Sequence, residues 1–263
     1  YKANPSYFVL NEAAAHISDA NGARRLEETV SAAYIRGDVT LMDNKLLIVG
    51  GVRYEKTETE GVGVSNDPGR LYQRDSAGNF LRDGSGNLIP ISSNALTRAQ
   101  LQYVKFGERE SNSYDGLFPS LNVRYSINET MLVRAGYAKT IGRPELGLII
   151  PGVTITDPAA ATKRITVVNT GLEPWTSDNY DLTLEAYNIK GAVIAVSLFK
   201  KDLSNFFTST LTTADAAFLT AQGLSTAYLN YEVSTQTNSG DASIEGAELS
   251  WKQSLTFLPA WAR

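Results

Sequence analysis

Seven stretches of this sequence alternate apolar and polar side chains with a period of two, and the connectors between them alternate in length, short then long. A period of two marks extended chain, because successive side chains leave opposite faces of a strand. The stretches are Leu26–Asp38, Lys45–Glu60, Tyr114–Tyr125, Thr130–Ile141, Ser177–Asn188, Ala192–Leu203 and Asp241–Gln253. In the second, Leu46, Ile48, Val52 and Tyr54 oppose Leu47, Val49, Gly51, Arg53, Glu55 and Thr57. In the third, Leu121, Val123 and Tyr125 oppose Ser120, Asn122 and Arg124; in the fifth, Tyr180, Leu182, Leu184 and Ala186 oppose Asn179, Asp181, Thr183 and Glu185. The last sets Ala247, Leu249 and Trp251 against Gly246, Glu248 and Ser250.

Three connectors are tight turns: Met42-Asp43-Asn44-Lys45, Ser126-Ile127-Asn128-Glu129 and Asn188-Ile189-Lys190-Gly191. Leu258-Pro259-Ala260 reads as another turn. Between the pairs lie Gly61–Ser113, Gly142–Thr176 and Ser204–Gly240, rich in Gly, Asn, Asp, Ser, Thr and Pro. A compact soluble domain seldom holds structureless loops beyond about 15 residues, whereas a membrane barrel joins its strands by short turns at one rim and long loops at the other. The reading is therefore an all-β fold: an antiparallel up-and-down transmembrane β-barrel segment with long extracellular loops and short periplasmic turns. A strand crosses the apolar layer in about 9–11 residues, which these stretches supply. Lipid cannot satisfy an open strand edge, and seven strands do not close a channel-sized barrel. Residues 1–263 are expected to be one partial barrel domain, with strands missing on at least one side.

Composition narrows the functional classes. With 43% apolar and 20% charged residues the chain is that of an ordered protein. A net charge of −4 and no basic run argue against a nucleic-acid partner. There is no cysteine and one histidine, His16. Neither a Gly-x-Ser-x-Gly elbow nor a phosphate loop is present. No catalytic residue, metal site or cofactor is expected. His16 follows three alanines, in a short helix at the surface. Glu58 and Glu60 could hold calcium, but an exposed charged rim is the simpler reading. No run of about 18 apolar residues exists to form a membrane helix; Leu46–Val52 and Gly191–Phe199 are strand-sized. The opening Tyr1-Lys2-Ala3 reads as the start of an excised segment. Tyr34, Tyr54, Tyr125, Tyr137, Tyr187, Phe199 and Trp251 fall near strand ends or on the apolar face, as interfacial girdles require; the competing reading is the core of a soluble sandwich.

Several segments resemble the barrel of TonB-dependent receptors. Leu47-Ile48-Val49-Gly50-Gly51-Val52-Arg53-Tyr54-Glu55 is similar to that family's Gly-x-Arg-Tyr-Glu strand. Pro119-Ser120-Leu121-Asn122, a tight turn, and then Arg134-Ala135-Gly136-Tyr137-Ala138-Lys139 through Arg143-Pro144 recur there in the same order. Asn169-Thr170-Gly171-Leu172-Glu173-Pro174 leading to Asn179-Tyr180-Asp181 resembles a further loop and strand entry, departing from the pattern at Thr170-Gly171 and Glu173. Phe199 through Phe206 and Gly246-Ala247-Glu248-Leu249 extend the likeness. The resemblance implies a barrel of about 22 strands in the bacterial outer membrane, in contact with outer-membrane lipid. It further implies a lumen filled by the protein's own N-terminal plug, through which TonB with ExbB–ExbD drives import of a scarce nutrient such as a ferric siderophore or an oligosaccharide. Plug and C-terminal strands would lie outside this chain.

On that reading the polar strand faces line the lumen: Arg53, Glu55, Asn122, Arg124, Arg134, Asn179, Asp181, Glu185 and Glu248. They serve plug docking or a solute path, or else neutralise one another in the wall. Ligand contacts are expected on the long loops, where Tyr72, Arg74, Phe80, Arg82, Arg143, Trp175, Tyr228 and Tyr231 supply aromatic rings and guanidinium groups. Arg143-Pro144 can equally end a strand. Two other classes remain open: a passive porin, and a soluble all-β carbohydrate-binding or hydrolase domain with a paired-carboxylate cleft.

Overall fold

The structure, a computed structural model, describes residues 9–189 and 191–254. Lys190, inside the third predicted turn, and the turn expected at Leu258–Ala260 lie outside the described residues. One antiparallel sheet carries seven long strands, each of them among the predicted stretches. They are β1 (Arg25–Leu41), β2 (Leu46–Asn66), β3 (Tyr103–Ser126), β4 (Met131–Gly142), β7 (Trp175–Ile189), β8 (Ala192–Thr213) and β9 (Glu232–Gln253). Two short strands, β5 (Val153–Ile155) and β6 (Arg164–Val167), lie between β4 and β7. Short helices α1 (Glu12–Gly22), α2 (Ala95–Gln102) and α3 (Ala216–Ala221) sit among the loops. No described helix is long and apolar enough to cross a membrane.

The tight turns follow from residues that tolerate left-handed backbone. Met42, Asp43 and Asn44 all have positive φ between β1 and β2, and Asn188 and Gly191 do so between β7 and β8. Between β3 and β4 the Asn128 side chain accepts the Thr130 N–H at 2.9 Å, an Asx turn.

Register then sorts the side chains. Leu121 faces Gly50 and Tyr137, Leu182 faces Ala135 and Leu198, and Leu198 faces Ala247. These pairs build one continuous apolar face. Its leucines and its Trp251 are exposed, Leu249 to 74%, a surface that in water would be a liability. Moving up from the turns, the first charged residue on this face is Lys56 on β2, Asp115 on β3, Lys139 on β4, Asp178 on β7, Lys200 on β8 and Glu245 on β9. Three of these couples are direct cross-strand partners of opposite charge: Lys56 with Asp115, Lys139 with Asp178, Lys200 with Glu245. From β2 to β9 the boundary slips against the hydrogen-bond register by about one residue per strand. With about 3.3 Å rise per residue and about 4.8 Å between strands, that slope is a strand tilt of about 35°, as barrel closure demands.

Three girdle assignments need correction. Register puts Tyr34 opposite Arg53 and Phe199 opposite Asp181, and the Tyr187 hydroxyl donates to Glu185, so all three rings belong to the polar face. A second correction concerns the loops. They are not structureless: β2, β3, β8 and β9 run on past the charged boundary, paired throughout except at bulges near Ser65 and Phe206. Above the boundary neither face keeps an unbroken apolar row and polar residues fall on both, so alternation fades although the ladder continues.

At the loop end the sheet closes on itself. β5 pairs with β6, β5 runs parallel to the tip of β2 (Ser65 opposite Val153), and β6 runs parallel to the tip of β9 (Arg164 opposite Glu232). This cross-brace rests on Gly61 and Gly63, where the Pro151 ring and carbonyl occupy the space of a Cβ. Under it lies a buried apolar cluster of Val153, Ile155, Ile165, Ala214, Leu219, Tyr228, Tyr231 and Val233. The core thus sits in the loops, while the wall strands keep their apolar residues outside.

One loop repeats itself. Arg74-Asp75-Ser76-Ala77-Gly78-Asn79-Phe80-Leu81 is followed by Arg82-Asp83-Gly84-Ser85-Gly86-Asn87-Leu88-Ile89. Both turns are pinned alike, Asp75 accepting the N–H of Ala77 and Asn79, Asp83 those of Ser85 and Asn87, all at 2.9 Å. Backbone bonds from Gln73 to Ile89, Leu81 to Gln73 and Ile89 to Leu81 close a triangle. His16 does lie on a helix, but it is half-buried, its Nε2 3.1 Å from the Tyr103 carbonyl.

Candidate functional site

All nine residues expected on the lumen side share the face opposite the apolar one. Arg124 faces Arg134, Asn122 and Asp181 flank Gly136 on either side, Asn179 faces Ala138, Glu185 faces Leu132, and Glu248 faces Ser197 beside Thr183. Four of them neutralise one another or a neighbour. Arg134 pairs with Glu185 at 2.9 Å. Glu55 takes both Arg53 and Arg143. Arg143 reaches it from the end of β4 past β3, where Gly116 stands opposite Glu55. Asn179 donates to the Ala138 carbonyl at 2.9 Å. Arg124, Asp181 and Glu248 have no ion-pair partner among the described residues, and the Arg124 Nε is buried without an acceptor. Arg124, Asn122, Arg134, Gly136 and Asp181 line a concavity of about 400 Å³ in this face.

Aromatic rings on the polar face lie over glycines of the neighbouring strand. Trp175 covers Gly142 and Phe199 covers Gly246. Each glycine leaves its pleat position empty, and the ring fills it. Trp175 and Arg143 therefore sit at the strand ends on the polar side, not out on a loop.

Five of the loop candidates are brought together into one platform. The Arg74 guanidinium lies 4.9 Å from the centre of Phe80 and 5.4 Å from that of Tyr228, and donates to the Tyr228 hydroxyl at 3.0 Å. That hydroxyl donates in turn to Asp67, which also holds Arg70 at 3.3 Å. Tyr72 meets Phe80 edge-on and donates to Asp157 at 3.2 Å, and Tyr231 packs on Tyr228 with centroids 5.2 Å apart. Burial pushes the Tyr228 hydroxyl far above the ordinary phenol range, and the Asp67 carboxylate adds to it; burial raises Tyr72 and Tyr231 likewise. With Tyr228 0% and Tyr231 4% exposed, these rings organise the platform from within. Gly69 is needed beneath them, since a Cβ there would meet the Tyr228 hydroxyl at 2.0 Å. Arg82 stands apart and exposed on the second repeat, donating to the Gly86 carbonyl at 2.7 Å. Asp67 and Asp157, which tie the platform across three loops, escaped sequence reasoning; the tandem repeat that positions Arg74 and Phe80 was the signal available.

A tilted antiparallel sheet with an uncharged apolar face to one side, a polar face to the other, tight turns below and structured loops above is a sector of a transmembrane β-barrel. The chain matches the family described as TonB dependent receptor-like, beta-barrel, over residues 3–262, and belongs to that family. No curated protein matches its sequence. Among solved structures it is similar to the hemophore receptor HasR of Serratia marcescens, at 15% identity and a TM-score of 0.49 over 85% of this chain and 31% of that one. It is also similar to the ferric enterobactin receptor PfeA of Pseudomonas aeruginosa, at 19% identity and a TM-score of 0.46 over 86% and 33%. A third is the ferric-catecholate import receptor Fiu of E. coli K12, at 15% identity and a TM-score of 0.49 over 90% and 27%. The chain spans about a third of the length of these proteins, or less.

Proposed function

We propose that the chain is part of the wall of an active importer in the bacterial outer membrane. The apolar face meets lipid, the polar face meets the lumen and a plug, and the loop platform stands at the extracellular mouth. The cargo is a scarce nutrient, a ferric siderophore or an oligosaccharide, and the work comes from TonB with ExbB–ExbD acting through the plug. The sector itself does no chemistry: it is a rigid frame whose strands stay still. The observation that carries this reading is the single polar face holding all nine wall residues against an apolar face uncharged up to one tilted boundary.

The test is uptake by cells carrying the full-length protein, with and without functional TonB, on a panel of iron chelates and oligosaccharides. Uptake that needs TonB supports the reading. TonB-independent uptake with open conductance in planar bilayers would make it a passive porin. A protein found in the soluble fraction, with no gel shift on boiling, would overturn the membrane assignment altogether.

A further inference from the structure

The cross-brace lies over the polar face of the wall, not beside it. Thr57, Thr59, Gly61 and Gly63 share the face of Glu55 on β2, since the ladder to β3 runs unbroken up to Gly63. Thr57 and Thr59 are 1% and 8% exposed, whereas Glu58 and Glu60, on the other face, are open to water. What covers the threonines is the connection between β4 and β7. Arg143 donates to the Thr57 hydroxyl at 3.4 Å, and Pro151 stands on Gly61 and Gly63. The brace also takes a shorter way from β2 to β9 than the wall does. Along the wall β3, β4, β7 and β8 separate them, which is about 24 Å at about 4.8 Å per strand spacing; across the brace only β5 and β6 do, about 14 Å. The tips of the two hairpins therefore lean towards each other over the polar face. The ladders bend to allow it, with bulges at Gly63/Ser65 between β2 and β3 and at Leu203/Phe206 between β8 and β9, where Asn205 takes left-handed backbone.

Both ends of the brace are tied. Arg164 pairs with Glu232, the Asn169 amide donates to the Gln236 carbonyl at 2.9 Å, and the Asn238 amide donates to the Glu173 carbonyl at 2.7 Å. Ile155 and Ile165 of the brace are buried in the cluster beneath it, so lifting either end would bring them into water. The space left between the brace and β3 is about 290 Å³, with Glu108, Gly152 and Thr235 on its walls. Sites for drug-sized ligands take about 300–1,000 Å³. We propose that residues 150–168 form a fixed arch over the lumen side of the mouth and screen solutes by size. A solute as large as an iron chelate or an oligosaccharide passes beside the arch, not beneath it, and the arch does not lift to admit it. The proposal takes the polar face as the lumen, so it rests on the barrel reading, but not on active transport.

The test is thiol labelling of the full-length protein in detergent; this chain adds no thiol of its own. Glu108→Cys places one under the arch, and Arg109→Cys, its neighbour, places one on the opposite face. N-ethylmaleimide is expected to label both, and a polyethylene-glycol maleimide only Arg109→Cys, however long the exposure. Gly63→Ala unseats the arch at Pro151 and should open Glu108→Cys to the large reagent. Ile165→Asp, which expels the arch from its cluster, does the same if the first variant fails its gel-mobility check. Labelling of Glu108→Cys by the large reagent while the arch is intact would overturn the proposal: at once, there is no roof; slowly, the roof is a lid that lifts. Exclusion that persists after 150–168 has been released, as read by deuterium exchange, would overturn it too. So would failure of N-ethylmaleimide at Glu108→Cys, since the space would then be sealed core and no filter. No uptake is read, so a protein that labels as expected yet transports without TonB keeps the arch and loses only the active importer.

Discussion

The ring of Phe199 on β8 lies across Gly246, its direct partner on β9, where a Cβ would stand 2.6 Å from the ring. Trp175 and Gly142 repeat the relationship on β7 and β4. The glycines are thus sockets for rings on the polar face. Gly246→Ala should displace Phe199 and cost about 1–3 kcal/mol, the usual size of overpacking. The temperature at which the full-length protein loses its unboiled gel mobility reads this loss. Adding Phe199→Ala should return part of it, since the two residues share one space. Strictly additive effects would show that the ring does not depend on the socket.

The faces can be separated by neighbours in sequence. Val123 lies on the apolar face and Asn122 on the polar one. Val123→Arg should impair assembly by about 2–4 kcal/mol if it faces lipid near mid-bilayer, and Asn122→Arg should be milder. Leu184→Arg against Thr183→Arg is the same comparison on β7. The fraction of heat-shifted protein in isolated outer membranes measures both pairs, and equal damage within a pair would refute the assignment.

Gly63 cannot carry a side chain without moving the brace, since its Cβ would stand 1.7 Å from the Pro151 carbonyl oxygen. Gly63→Ala should lift the brace and speed deuterium exchange over 150–168 and 214–233, yet leave the hairpins of β3–β4 and β7–β8 protected. Faster exchange throughout the wall would mean that brace and wall fold as one unit.

Alkaline pH should loosen the platform first. The folded Tyr228 hydroxyl ionises above its unfolded value of about 10. Its neutral form therefore contributes stability that is complete below about pH 10 and is lost as pH rises towards the folded value. Tyrosinate absorbance should show late-titrating tyrosines, and exchange over 67–91 should rise in the same range. Tyr228→Phe should remove one of the late titrations and leave those of Tyr72 and Tyr231, at the expense of the bonds to Asp67 and Arg74. A pH-independent exchange rate over 67–91 would contradict the linkage.

Much of the wall was legible in the sequence because lipid and water impose opposite demands on alternate residues. Leu182 and Asp181 announce their faces whatever surrounds them. Phe199 and Tyr34 did not, because the polar face also takes rings where a glycine or an open surface receives them. The upper strands were invisible for a different reason. Segments such as Thr208–Thr213 against Glu232–Thr237 pair fully, but Ser and Thr on both faces leave no period to read. The loop candidates were partly legible: aromatic and Arg residues were singled out, yet nothing local says that Arg74 and Tyr228, far apart in the chain, would meet. The repeat at 74–89 was in plain view and marked a structured loop, but it is silent on Tyr228.

The cross-brace also sets an order in time. Each hairpin joins stretches adjacent in the chain, so it can form as soon as its turn exists. Ser65 can meet Val153, and Arg164 can meet Glu232, only once the intervening hairpins stand. Closing such long loops is slow, because their entropy is lost before any contact compensates for it. The wall therefore precedes its crown, and a molecule interrupted between the two stages is complete along its apolar face and unfinished only at its loops.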